Sequence, residues 1–198
     1  MITLVFAILT FALIVKLNEI LGFRIGFRVD RENLRDPMQN KSEIKEVTKN
    51  ERIMRTIRSG YFDFDPESFL KKAERVFEMV FKAYAEEDKS TLKSLLSPRT
   101  FKAFSMAIDE RKRNGETLEG SILQFVETNL IEANTRDDTL YVTVEFVTDQ
   151  TTVLKSSDGT ILEGNPDYVE SRKDVWVFSR KINSTDPRWF LHEIKSED

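Results

Sequence analysis

A chain of 198 residues, 40% of them hydrophobic, has room for one globular domain and an extension, and its seven glycines are scattered, with no phosphate-cradling loop among them. It has no cysteine and one histidine, which excludes disulfides, thiolate chemistry, cysteine-ligated metals and a two-histidine metal site. The net charge of −4 divides unevenly, +4 over residues 1–58 and −8 over residues 59–198, and the acidic part argues against a nucleic-acid partner.

The first 15 residues carry no charge, and with Lys16 to Leu21 the apolar run reaches about 20 residues, roughly the length that crosses a bilayer. No Lys or Arg precedes the run, and Leu21-Gly22-Phe23 is not a small-residue cleavage site. Residues 1–21 therefore read as a retained transmembrane helix. Arg24, Arg28, Arg31 and Arg35 follow it, and the positive-inside rule then places the C-terminal domain in the cytoplasm.

Residues 22–60 form a basic connector. From residue 28 it is dense in charge and poor in aromatics, and it is expected to pack no core. Ser42 to Arg58 has helical spacing, with Ser42 as N-cap and Gly60 as the stop. Ile44, Val47, Met54 and Ile57 fall near one face, with Ile53 on its flank. Lys45, Lys49, Arg52 and Arg55 lie on the rest of the helix and are candidates for contact with anionic lipid. A solvated tether is the alternative reading.

The globular domain is expected over residues 61–198. Asp65-Pro66 starts a helix, and Phe69, Ala73, Val76, Phe77, Val80, Phe81 and Tyr84 follow its period. A short helix is expected from Lys89 to Leu96. Another starts at Ser97-Pro98, carries Phe101, Phe104 and Ile108, and stops at Gly115. Its last turn, with Arg111, Lys112 and Arg113, reads as a solvated helix end that complements the helix dipole. Strands are expected at about 121–134, 139–148, 151–156, 168–182 and 188–195, with Asp158-Gly159 as a hairpin turn. Helices followed by an antiparallel meander give an α+β fold.

In the phrase Asp174-Val175-Trp176-Val177-Phe178-Ser179-Arg180, Trp176 and Phe178 share one strand face, expected to be directed at the helix of Phe69, Phe77 and Phe81. Phe69, Phe77, Phe81, Phe104, Trp176 and Phe178 are candidate walls of an open apolar pocket. Ordinary packed core is the alternative. His192, beside Glu193, reads as a surface or core histidine, since no nucleophile accompanies it. No convincing acid–base pair appears, so no enzyme activity, metal or cofactor is expected.

Four phrases in order carry a family resemblance. The first is Phe69-x3-Ala73-x3-Phe77 with Ala83, Ala85 and Asp88. The second is Leu92-Lys93-x-Leu95-Leu96-Ser97 followed by Phe104-x3-Ile108-x2-Arg111-x3-Gly115. The third joins Ile131-x-Ala133, Val142-x-Val144-x-Phe146 and Gly159-x3-Glu163-Gly164, and the last joins Asp174-x-Trp176-x-Phe178-x-Arg180 to Asp186-Pro187-x-Trp189-x-Leu191. Together they resemble the Tim44-like domain family. Leu21-Gly22-Phe23-Arg24-Ile25-Gly26, after an apolar start, is similar to the bacterial, TimA-type members.

The resemblance implies helices packed on a curved antiparallel sheet, similar to the nuclear-transport-factor-2-like cone, with a large apolar pocket. It also implies a membrane-anchored adaptor or scaffold that binds protein clients at the cytoplasmic face of a bacterial inner membrane, linked to protein translocation or membrane protein assembly. A mitochondrial inner membrane, matrix side, is the alternative location. An apolar-ligand or lipid-binding module using the pocket is the alternative function, and an enzyme of the cone fold comes third.

Overall fold

The computed structural model describes residues 37–195, with side chains from residue 49 onward. The expected transmembrane segment, residues 1–21, lies outside the described residues. None of the described helices is long and apolar enough to cross a membrane.

Among the described residues, four helices precede five strands. Helix α1 (Pro37–Gly60) starts earlier than the sequence suggests and belongs to the domain. Ile53 and Ile57, one turn apart, are buried in the core, which corrects the expectation that residues 28–60 pack none. Ile53 and Ile57, with Met54 packed beside them, seat a helix that is otherwise rich in charge. Helix α2 (Pro66–Ala85) starts as expected. Asp65 caps it by accepting the Glu67 N–H at 3.2 Å, and Phe69, Ala73, Phe77, Val80 and Ala83 are buried. Helix α3 (Lys89–Leu95) is capped by Asp88, which accepts the Ser90 and Thr91 N–H groups. The Thr91 hydroxyl is the main cause that holds the Asp88 carboxyl below its ordinary range. Helix α4 (Pro98–Asn114) has Ser97 as N-cap and ends at Gly115 in the left-handed conformation, φ 70°, which glycine adopts without strain.

The strands are β1 (Thr117–Arg136), β2 (Thr139–Lys155), β3 (Ile161–Gly164), β4 (Glu170–Lys181) and β5 (Phe190–Lys195). The antiparallel sheet has the order β1-β2-β4-β5, and β3 pairs with the far end of β2. β2 is one strand where the sequence suggests two. Asp149-Gln150 reads as a break, yet Gln150 is buried and the strand runs through it. In β1 three single-residue bulges leave Leu123, Val126 and Ile131 outside the ladder. Each bulge adds one residue and bends the strand. The inward positions of β1 become Ile122, Phe125, Leu130 and Ala133, a spacing that simple alternation cannot predict.

The helices cover one sheet face. Leu140, Val142, Val144 and Phe146 of β2 point to it, and across them Trp176 and Phe178 of β4 do the same. At its centre Phe77 stacks on Trp176, ring centroids 4.4 Å apart and 24° between planes, with Phe146 at 5.0 Å and Phe125 at 5.6 Å from Phe77. The sheet face thus meets α2 as expected. On the opposite face Lys195 of β5 reaches Glu132 of β1 at 3.0 Å, above β2 and β4.

Arg111 is not a solvated helix end. Its guanidinium is buried and donates to the carbonyl oxygens of Tyr84 (2.6 Å) and Ala85 (3.4 Å) at the C-terminus of α2, and it lies 4.7 Å from the Tyr84 ring centroid. Burial, the larger effect, raises the Tyr84 hydroxyl pKa although the Arg111 charge opposes it. The cation ties α4 to the helix end where carbonyls lack intrahelical partners.

Two substitutions test this packing by denaturant melts. Trp176→Ala removes the ring beneath Phe77 and is expected to cost about 3–5 kcal/mol. Arg111→Met keeps the aliphatic stem but leaves the Tyr84 and Ala85 carbonyls without their donor, for a loss of about 1–3 kcal/mol. A change under about 1 kcal/mol in the first variant means that the ring fills no closed core.

Candidate functional site

A recess walled by aromatic rings begins where the chain enters α2. Phe64 precedes the cap residue Asp65 and packs on Phe69, four residues inside the helix, with ring centroids 5.1 Å apart. That is a hydrophobic staple, which fixes the entry angle of the chain. Trp189, from the segment between β4 and β5, closes on both rings, 5.0 Å from Phe69 and 6.3 Å from Phe64. Phe178 meets Phe69 edge-on at 5.9 Å. Tyr61 meets Phe64 at 6.2 Å and carries the Arg180 guanidinium 4.1 Å above its ring.

These rings border a cleft of about 400 Å³, whose rim also includes Leu95, Pro187 and Lys72. Asp63, Asp65 and Arg188 also line it. Arg188 is held by a forked contact with Asp186, Nε to Oδ1 at 2.9 Å and Nη2 to Oδ2 at 2.7 Å, which lowers the Asp186 carboxyl pKa to about 2. An aromatic cleft with charges confined to its rim suits an inserted apolar side chain with a polar backbone around it.

The six aromatic positions proposed as pocket walls do not share one cavity. Phe69 and Phe178 border the cleft. Phe77 and Trp176 are 0% and 2% exposed and in direct contact, so packing fills the space between them and the open cavity expected there gives way to core. Phe81 presses on the backbone at Gly120, where an added Cβ would lie 2.9 Å from its Cζ and 2.6 Å from the Thr151 carbonyl oxygen. Phe104 is buried against Tyr84, ring centroids 5.2 Å apart, at the other end of α2. Sequence reasoning missed Tyr61 and Phe64 as wall residues. An aromatic residue just before the helix cap, with another at Phe69, is the staple pattern that could have found Phe64.

Lys49, Arg52 and Arg55 are exposed on α1, and the side chain of Lys45 lies outside the described residues. His192 is half-buried, and its ring stands 5.0 Å from Tyr141 on the sheet face away from the helices. Its carbonyl oxygen accepts the Thr100 hydroxyl. That bond, with Ser97 N–H donating to the Leu191 carbonyl at 2.8 Å, fastens the start of α4 to β5. Among the described residues no group of three or more His, Asp or Glu side chains is arranged to hold a metal.

Comparison with known proteins gives relatives at low identity. The chain is 21% identical over 140 residues to the probable mitochondrial import inner membrane translocase subunit tin-44 of Caenorhabditis elegans, covering 69% of this chain and 33% of that protein. It is 23% identical over 162 residues to the mitochondrial import inner membrane translocase subunit TIM44-1 of Arabidopsis thaliana, covering 78% and 34%. The chain thus spans about a third of the length of these relatives. Among solved structures, the intermembrane space region of the chloroplast protein ARC6 aligns with a TM-score of 0.43 and 12% identity over 64% of this chain and 94% of that one. The Tim44-like domain profile matches residues 50–196, from within α1 to beyond β5, and the chain belongs to the Tim44-like domain family.

Proposed function

We propose that this chain is a membrane-held adaptor in protein translocation or membrane protein assembly. Its domain grips an apolar side chain of a protein client in the cleft of Phe64, Phe69 and Trp189. The observation that carries the reading is the cleft itself, a recess of about 400 Å³ walled by aromatic rings. The relatives named as import translocase subunits support the setting. In this reading residues 1–21 are the anchor, and the domain lies at the cytoplasmic face of a bacterial inner membrane or, alternatively, at the matrix side of the mitochondrial one. The protein binds and does not catalyse.

A photoreactive benzoylphenylalanine at Leu95, on the cleft rim, tests the client site in the full chain in its own membrane. The expected outcome is adducts with other proteins, absent when the same group replaces the exposed Met106 of α4. Adducts only with lipid transfer the cleft to the apolar-ligand reading. Adducts equal at both positions remove the client site.

Among the described side chains of α1, contact with lipid rests on charge, because Ile53 and Ile57 are consumed by the core. A fragment beginning at Lys41 is expected to bind vesicles containing anionic lipid and to release them as salt screens the attraction. Reversing Lys49, Arg52 and Arg55 to Glu should weaken binding by at least about 1 kcal/mol per residue. Equal binding to neutral vesicles defeats this contact.

A further inference from the structure

The sheet face beneath the helices changes character along β2. Leu140, Val142, Val144 and Phe146 make its first half apolar, and Thr148, Gln150 and Thr152 continue the same face by strand alternation. Thr148 and Gln150 are 0% and 1% exposed. The hydroxyls of Thr148 and Thr152 and both amide atoms of Gln150 are buried and have no hydrogen-bond partner. Arg172 and Glu170, the β4 partners of Thr148 and Gln150 in the ladder, are engaged with one another through Nε at 3.0 Å and Nη2 at 2.9 Å. Buried polar groups are normally paired, and each one left unpaired weakens the contact that buries it.

The ends of two helices reach this polar half. Phe81 of α2 lies over Gly120, the β1 partner of Thr152. Gly115, where α4 stops, stands against Ser157 just beyond β2, and a Cβ added there would lie 3.0 Å from the Ser157 Cβ. The two helix ends are tied to each other, by Arg111 on the Tyr84 and Ala85 carbonyls and by Tyr84 against Phe104, so they behave as one piece. That piece has two fixed points on the sheet. Phe77 stacks on Trp176 at the middle of α2, and Ser97 and Thr100 fasten the start of α4 to β5.

We propose that the contact between helices and sheet opens at this end. The joined ends of α2 and α4 lift from β2 residues 148–152 while the stack of Phe77 on Trp176 stays closed. Opening lets water reach the Thr148 and Thr152 hydroxyls and the Gln150 amide, whose hydrogen bonds are then met. The same movement over Val142 to Phe146 would expose only apolar side chains, which gain nothing from water. Opening is therefore easier at the polar end than through the rest of the core, as in other proteins whose local stability is uneven. The domain has by this means a second state that presents a polar inner surface, separate from the cleft of Phe64, Phe69 and Trp189.

The chain has no cysteine, so single introduced cysteines report the opening in the full chain. Thr148→Cys and Val144→Cys each place a thiol at a position that is 0% exposed, on one face of one strand. Thr148→Cys is expected to react with a small maleimide at least about tenfold faster than Val144→Cys. Adding Gln150→Leu removes the unmet amide and keeps most of its bulk. It should slow the Thr148→Cys reaction about tenfold and leave Val144→Cys as it was. Amide hydrogen exchange reads the same opening in the native chain, where no variant has to fold. Residues 147–153 should exchange faster than residues 140–146 of the same strand. Equal reaction at the two cysteines, or equal exchange over the two halves of β2, overturns the proposal. So does a faster Thr148→Cys reaction when Gln150→Leu is added, because the amide is then a group that holds the closed state together.

Discussion

Phe77 lies flat against Trp176, and the placing of the other helical side chains on the sheet follows from that contact. Trp176 belongs to β4 in the middle of the sheet order, and Phe146 and Phe125 bring β2 and β1 to the same point. An aromatic cluster of this size buries several hundred Å² and contributes more than its area alone, since tilted and edge-on rings attract one another. With α2 pinned at its middle, its two ends have set positions. The first turn brings Phe69 to Phe178 and Trp189. The last turn brings Tyr84 to Phe104 and its carbonyl oxygen to Arg111. The cleft and the Arg111 clamp are therefore opposite ends of one lever held at its centre.

A filled centre moves the binding features of the domain to its periphery. Between Phe77 and Trp176 there is no room for an acyl chain, whereas Trp189 is only half-buried and leaves one flank of the aromatic cluster open. The cleft is thus an extension of the core to the surface, and it keeps its shape for the same reason that the core does. The staple of Phe64 on Phe69 and the fork of Asp186 on Arg188 hold its two walls independently of any occupant. A preformed recess loses little freedom on binding, which suits a site that takes one side chain of a longer polypeptide.

Much of this was legible in the chain itself. The Asp65-Pro66 and Ser97-Pro98 starts and the Gly115 stop are local chemistry, readable because a cap satisfies its own neighbouring N–H groups. Trp176 and Phe178 alternate with residues of the other face, so their shared direction follows from strand geometry alone. What the sequence hides is tertiary. Ile53 and Ile57 stand among so many charges that only the sheet beneath them identifies the helix as part of the core. The bulges at Leu123, Val126 and Ile131 break the period of β1, and no residue there signals a bulge by type. Whether facing rings leave a gap depends on distances of a few ångströms, which a spacing pattern does not carry. The open pocket expected from the aromatic stripe was lost for that reason, while the wall contributed by Trp189 came from a segment distant in sequence.

The division of labour on α1 follows from the same packing. Burial of Ile53 and Ile57 commits the described part of the apolar stripe to the core, and over residues 49–58 the helix presents Lys49, Arg52, Arg55 and Arg58 to solvent. A helix in that state is anchored like a core element but acts outward only through charge. Charge reaches farther than contact, about 8 Å at physiological ionic strength, and it distinguishes surfaces by sign more than by shape. The domain beyond it carries −8 over residues 59–198, so α1 is the basic flank of an acidic body. Held in a fixed orientation by two isoleucines, that flank turns the domain's charge asymmetry into a direction, with anionic surfaces favoured on one side and cationic or apolar ones on the other.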